Sequence, residues 1–283
     1  MSDEVRDSRK GWIGLRRLPM ESELRAVLVT LIVCIVCSAA IALAVSLLRP
    51  YRDANRMSER QAKIRDMIGA VPGLGDMLGK ASDGQLAAHI VDLETGRYVE
   101  DVDAEGFDPI EASRNPATSV ALASDQDIAR LGRRARYARV YTISDEQGLR
   151  LVVLPVEGSG YISTLRGYLA LDPDLRTIRG LSFYEHGETP GLGSEIDKPA
   201  WRALWPGKQI VDEAGRLRIA VVRGRADPAS PDAPYQVDGI TGATRTGDGV
   251  TNLLRFWLGP MGFGPYLERL AEVKRDVAHG RTE

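Results

Sequence analysis

The chain has 283 residues, 43% hydrophobic and 27% charged, enough for a sizeable core in one large or two small domains. A net charge of −2 and an isoelectric point near 6.0 leave no electrostatic footprint for nucleic acid. Both cysteines share one apolar segment, so no disulfide framework serves the rest, and His89, His186 and His279 lack metal-ligand spacing.

Residues 1–25 are polar, with basic and acidic side chains mixed. From Ala26 to Leu48 no charge occurs. As a helix this run would measure roughly 34 Å, enough to cross a hydrocarbon core of about 30 Å. Arg25 and Arg49 bracket it and Pro50 ends it, which predicts one transmembrane helix over 26–48. A signal peptide would be cleaved near Ser38-Ala39-Ala40, but the apolar run continues well past that point. Cys34 and Cys37 lie on one face of the predicted helix. An iron–sulfur cluster normally needs four thiolates, so they read as small hydrophobes. Basic residues are about equally frequent on either side of the span, and charge bias alone leaves the orientation open.

Ala54 to Ala70 predicts a juxtamembrane helix with Met57, Ile64, Met67 and Ile68 on one face, and a Gly-rich linker follows to Gly84. A domain of about 200 residues then spans 85–283. Short strands dominate its first half. His89–Leu93 and Arg97–Val102 flank Glu94-Thr95-Gly96 as a candidate hairpin. Ala138–Ile143 and Arg150–Val156, then Leu165–Leu171 and Thr177–Tyr184, flank further turns. Pro199–Leu204 predicts a short helix and Leu217–Val222 a strand, while Val250–Leu258 and Gly264–Ala278 close the chain as helices. The expected fold is α+β: a transmembrane helix at the N-terminus, then a mixed, largely antiparallel sheet domain with helices.

Two Gly-rich loops carry the chemistry. In Asp238-Gly239-Ile240-Thr241-Gly242-Ala243-Thr244-Arg245-Thr246, small residues leave Thr244 sterically accessible ahead of an apolar helix. Such a loop can bring backbone N–H groups to a phosphate at a helix N-terminus, and it can equally be a polar turn followed by an N-cap. The second loop is Glu185-His186-Gly187-Glu188-Thr189-Pro190-Gly191-Leu192-Gly193. Neither contains a Walker lysine or a complete G-x-G-x-x-G, which argues against nucleotide hydrolysis or dinucleotide binding.

The Asp238–Thr246 stretch resembles the flavinylation motif of membrane redox complexes. With the Glu185–Gly193 loop, the tail Phe256-Trp257-Leu258-Gly259-Pro260-Met261-Gly262-Phe263-Gly264-Pro265 and the predicted span, the chain is similar over nearly its whole length to the C subunits of Na+-translocating NADH:quinone oxidoreductases. The first two motifs are also shared with the G subunits of Rnf ferredoxin-linked complexes, which leaves that family as the alternative. The resemblance implies an FMN-binding domain with FMN esterified through its phosphate to Thr244 by a flavin transferase. It implies cofactor contacts from Asp238, Gly239, Thr241, Gly242 and Ala243 in the phosphate loop, and from Glu188, Thr189, Gly191 and Leu192 along the ring. It further implies a bacterial inner-membrane protein with a cytoplasmic N-terminus and a periplasmic domain. The implied partners are the other subunits of a six-subunit redox complex that oxidises NADH, reduces ubiquinone and transports Na+.

Several readings stay open in the residues themselves. Asp238 suits transferase recognition or an ordinary turn, and His186 suits flavin tuning or a surface position beside a turn. Where the family usually carries Gly-Leu-Trp-Ser, this chain has Gly160-Tyr161-Ile162-Ser163, so the tryptophan contact to the ring is missing and Tyr161 is its possible substitute. Trp257 and Phe263 read as packing residues or contacts to a neighbouring protein of the complex. A non-redox anchored periplasmic binding module is the reading from a different functional class.

Overall fold

The structure, a computed structural model, describes residues 27–43, 45–46 and 86–278 apart from 105 and 147. It divides into two units, Met1–Glu59 and Arg60–Glu283. In the first unit residues 27–43 are helical, with Val27, Leu31, Ile35, Val36 and Leu43 all exposed. At about 1.5 Å per residue this described stretch is shorter than a hydrocarbon core. No helix among the described residues is long and apolar enough to cross a membrane. The rest of the expected 26–48 span, the 1–25 segment, the juxtamembrane helix and the linker lie outside the described residues.

The second unit is built on a five-stranded antiparallel sheet. Its strands are β1 (Leu86–Asp92), β4 (Tyr137–Asp145), β5 (Gly148–Ser159), β6 (Thr164–Leu171) and β7 (Ile178–Glu185), and they neighbour one another in that order. Leu154 faces Leu169 and Leu169 faces Leu181, so the central strands stack apolar side chains across the sheet. One face carries the main core with Val152, Leu154, Leu165 and Leu169, into which the C-terminal helices pack. The other face buries a smaller cluster of Ile143, Leu151, Val153, Tyr168 and Ala170. Burial on both faces explains why β5 and β6 read as near-continuous apolar runs rather than alternating ones.

The hairpins β4–β5 and β6–β7 form where the turn chemistry predicts them. The expected hairpin at Glu94-Thr95-Gly96 forms in shortened form. The Asp92 carboxylate accepts from the Glu94 and Thr95 amides and tightens the turn. After it the Asp92 amide donates to the Arg97 carbonyl, the Val99 amide donates to the Ile90 carbonyl, and Val91 and Tyr98 bridge. The return segment ends there, without becoming the strand expected to Val102. On its other edge β1 pairs with β4, from Leu86 against Ile143 to Asp92 against Tyr137, and Val91 and Val140 are fully buried.

The expected strand Leu217–Val222 reduces to β8 (Ala220–Val221), paired in parallel with β9 (Gln236–Val237), and a bridge from Leu217 to Val211. Arg216 and Arg218 are drawn to the Asp212 and Asp232 carboxylates at the strand's start. Other elements, β9 among them, were not expected from the sequence. Helix α1 (Pro109–Arg114) is capped by the Asp108 carboxylate, which accepts from the Ile110 amide at 2.8 Å, and carries Pro109 at its first position. A small hairpin joins β2 (Ser119–Ala121) to β3 (Arg133–Ala135).

The short helix α2 (Pro199–Arg202) lies within the expected segment. Helix α4 (Gly264–Ala278) has the expected bounds, and α3 (Thr244–Leu258) begins six residues earlier than apolar periodicity indicates.

Candidate functional site

The early start of α3 puts Thr244 in the first helical position. The helix is seated by its apolar face, where Val250, Leu253 and Leu254 are fully buried. Trp257 Nε1 also donates to the Glu157 carbonyl in β5 at 2.7 Å. Near its start the contact is backbone on backbone: a Cβ on Gly249 would stand 2.6 Å from the Ser159 carbonyl oxygen. This close approach lays the first turn of α3 against the turn 160–163 between β5 and β6.

The residue preceding the helix is Ala243, which provides no side-chain cap. The first amides of such a helix have no intrahelical partner and concentrate partial positive charge. The three hydroxyls of the motif meet different fates. Thr241 and Thr244 are exposed, whereas Thr246 is 1% exposed and donates to Glu188 Oε2 at 2.6 Å. Residues 244 and 246 are roughly 200° apart around a helix, so one turns to solvent and the other to the core.

The two Gly-rich loops touch. Gly242 adopts φ +77°, open to glycine at no steric cost, and a Cβ there would meet Leu192 Cδ2 at 3.0 Å. The loop 189–193 is held by its own backbone: the Thr189 carbonyl accepts from the Leu192 and Ser194 amides, and Ser194 Oγ accepts from Gly191. Thr189, Gly191 and Leu192 are all exposed.

Asp238 serves the same assembly from below. Its carboxylate accepts from the Ala226 amide at 2.9 Å, and its carbonyl accepts from Trp201 Nε1 at 3.1 Å. The Gly239 amide donates to the Gly224 carbonyl at 2.7 Å. The loop around Arg223 and Gly224 is thereby clipped to the phosphate-loop candidate, and both line a small cleft that includes Thr244 and Asp248.

Glu188 is placed differently from a ring-edge contact. It is 4% exposed, and its Oε1 accepts from the Ile162 amide at 2.9 Å and from Ser163 at 3.3 Å. Burial pushes its pKa up, but the Thr246 hydroxyl and the amides of 161–163 outweigh that and hold it below the ordinary carboxylate value. The Glu188 amide in turn donates to His186 Nδ1, so the ring proton sits on Nε2 and is donated to Asp197 at 2.7 Å. His186 is therefore a structural link in the loop.

Thr244 itself borders the cleft with Val222, Arg223, Gly224 and Asp248. The residues flanking it meet exposed apolar side chains: Leu192 (43% exposed) approaches Gly242, and Tyr161 (54%) lies at Arg245, next in sequence to Ile162 (60%). The Arg245 guanidinium lies over the Tyr161 ring, 5.2 Å from its centroid. An accessible hydroxyl at an uncapped helix start, beside exposed apolar side chains, fits a ligand with a phosphate at one end and a planar ring at the other. Trp257 and Phe263 are core residues away from this surface. Among the described residues no cluster of His, Cys, Asp or Glu could hold a metal ion.

Sequence reasoning assembled the two loops but missed Thr246, Ser163 and the Arg245–Tyr161 contact. The Thr-x-Thr spacing was the available signal, because it divides the hydroxyls between solvent and core once the helix start is known.

Residues 160–259 match the family described as FMN-binding domain. The chain is 45% identical over 252 residues to the C subunit of the Na(+)-translocating NADH-quinone reductase of Pseudomonas aeruginosa, covering 88% of this chain and 97% of that one. It is 38% identical to the protein of the same name from Yersinia pestis, over 88% of this chain and 93% of that one. Among solved structures, it is similar to Shewanella oneidensis NqrC with a TM-score of 0.66 and 32% identity. That match covers 76% of this chain and 99% of the other. The chain belongs to the NqrC family, the C subunits of the Na+-translocating NADH:quinone reductases.

Proposed function

We propose that this protein is the FMN-carrying electron-transfer subunit of a Na+-translocating NADH:quinone reductase, with FMN esterified through its phosphate to Thr244. The observation that carries the reading is the division of hydroxyls within the family-matched region: Thr244 is exposed at the uncapped start of α3, and Thr246 is buried and already bonded. Bound flavin supplies reversible one- and two-electron transfer. The chain's own residues supply the attachment point, the amides of the α3 start for phosphate charge, and an exposed apolar bed of Tyr161, Ile162 and Leu192.

Attachment joins Thr244 Oγ1 to the flavin phosphorus, and the hydroxyl gives up its proton as the phosphorus gives up a leaving group. The donor must therefore be an activated flavin phosphate of the pyrophosphate class, whose released phosphate carries the proton away. A flavin transferase is the agent of that step. A permanent tether suits a domain outside the cytoplasm, where a diffusible cofactor would be lost.

The uncharged run 26–48 is the anchor, since its described part, the exposed apolar helix 27–43, needs an apolar environment to cover it. The domain from 85 onwards faces the periplasm of a bacterial inner membrane, and its partners are the other members of the six-subunit complex. NADH is oxidised by a partner, because this chain has no nucleotide fingerprint. Intact-mass measurement of protein produced with its flavin transferase tests the reading. The wild type gains the mass of one esterified FMN, and Thr244→Ala gains none. A flavin retained by Thr244→Ala after denaturation overturns it.

A further inference from the structure

Three segments around Thr244 converge on one carboxylate. Glu188 Oε2 takes the Thr246 hydroxyl at 2.6 Å, and Oε1 takes the amides of Ile162 and Ser163. The site is closed around this side chain on two sides. A Cβ on Gly160 would stand 2.5 Å from Oε1, and one on Gly193 would stand 2.7 Å from both Oε2 and Thr246 Oγ1. The turn 160–163, the loop 188–193 and the first turn of α3 thus share a single polar joint with no room for a larger residue at either glycine. Ser163 Oγ adds a second tie by accepting from the Gly187 amide. On the outer side Arg245 covers Tyr161 of the same turn.

The helix start has no side-chain cap of its own. Within its first turn the side chain that bonds to the neighbouring loop is that of Thr246, two positions on from Thr244. We propose that Thr246 and Glu188 are positioning residues for the modification of Thr244: their hydrogen bond ties the first turn of α3 to the turn 160–163 and so turns the Thr244 hydroxyl outward. This rests on Thr244 being the flavin-bearing residue. Neither residue touches the reacting atoms, and both act through the orientation of the helix start. Thr246 is also withdrawn from competition as an acceptor, since its oxygen is buried and engaged.

The test uses full-length protein produced in membranes with its flavin transferase, following flavin incorporation over time by intact mass and by fluorescence after denaturation. Thr246→Val keeps the shape and loses the hydroxyl, and Thr246→Ser keeps the hydroxyl and loses the methyl. Thermal unfolding confirms that each variant is folded at the temperature of production. Incorporation is expected to be at least about tenfold slower in Thr246→Val, the scale of losing a hydrogen bond to a buried charged group, and close to wild type in Thr246→Ser. Glu188→Gln is expected to stay closer to wild type than Thr246→Val, because its amide oxygen can still accept from the 162–163 amides and its NH2 can donate to Thr246 Oγ1. The double variant Glu188→Gln/Thr246→Val should be about as slow as Thr246→Val, because without the hydroxyl the joint is already lost.

Folded Thr246→Val modified at the wild-type rate overturns the proposal, as does Thr246→Ser as slow as Thr246→Val. Should Thr246→Val not fold, folded Thr246→Ala, which also lacks the hydroxyl, modified at the wild-type rate overturns it. Wild-type protein without flavin on Thr244 would overturn the functional reading itself, and the positioning role with it.

Discussion

Replacing Gly249 by alanine opposes two effects of known size within one helix. In an exposed helix interior the change would stabilise by about 0.8–1 kcal/mol, because glycine loses more backbone freedom on folding. At Gly249 the new methyl would stand 2.6 Å from the Ser159 carbonyl oxygen and 3.1 Å from Gly160 Cα, and both neighbours are main chain, at the end of β5 and the start of the turn after it. Overpacking of this kind costs about 1–3 kcal/mol or more when backbone must move. The clash wins, with a net loss of about 1–2 kcal/mol or, in a domain of this size, a fall in Tm of about 2–8 °C. Gly247 is the internal control. A Cβ there would meet only Val221 Cγ1, at 3.1 Å, and a side-chain methyl can rotate or shift. Gly247→Ala should therefore stay within about 1 kcal/mol of wild type. Thermal unfolding of the full chain in detergent compares the two. Gly249→Ala as stable as wild type, or no less stable than Gly247→Ala, would refute the close approach that seats the helix start.

Trp257→Phe removes part of the indole volume and leaves the Glu157 carbonyl without its 2.7 Å donor, and should cost about 1–3 kcal/mol in chemical unfolding. Any flavin carried by Thr241→Ala should map to Thr244 by peptide mass, because the attachment lies at the helix start; flavin mapped to another residue would place the attachment elsewhere. Glu188 titrates in the folded protein below the ordinary value of 4.5, so unfolding takes up protons as the pH falls through that range. Its contribution is full above 4.5 and is lost as pH falls through the folded value. The stability gap between wild type and Glu188→Gln should then narrow from neutral to acid pH, and a gap that widens would show the carboxylate protonated in the fold.

Periodicity and turn chemistry sufficed for β4 to β7 and for α4, because each is long, apolar and bounded by turn residues close in sequence. They gave only half of β1's surroundings: the local turn at Glu94–Gly96 returns the chain along one edge as far as Val99, while the other edge pairs with β4, a distant strand that local turn chemistry does not reveal. They failed at the start of α3, where Thr-Arg-Thr-Gly-Asp-Gly reads as loop by propensity. Tertiary contact overrides propensity there: Gly247 and Gly249 have no side chains to lose, and their smallness lets the helix lie on β8 and β5.

That displaced helix start bears directly on what the motif's residues do. Glycines in a loop would be explained by backbone freedom alone, and Gly242, at φ +77°, is so explained. Gly249 is helical, and its requirement is space. If the first turn of α3 were a free loop, Thr244 and Thr246 would be equivalent as acceptors and their choice would rest on the modifying enzyme. With the turn helical and Thr246 bonded to Glu188, one hydroxyl is buried and the other exposed, so under the proposed attachment at Thr244 part of the selectivity would reside in this chain. The same geometry accounts for the buried glutamate: a carboxylate that accepts from Thr246 and from two amides is stable beneath an apolar surface, and its charge need not be met by a cation.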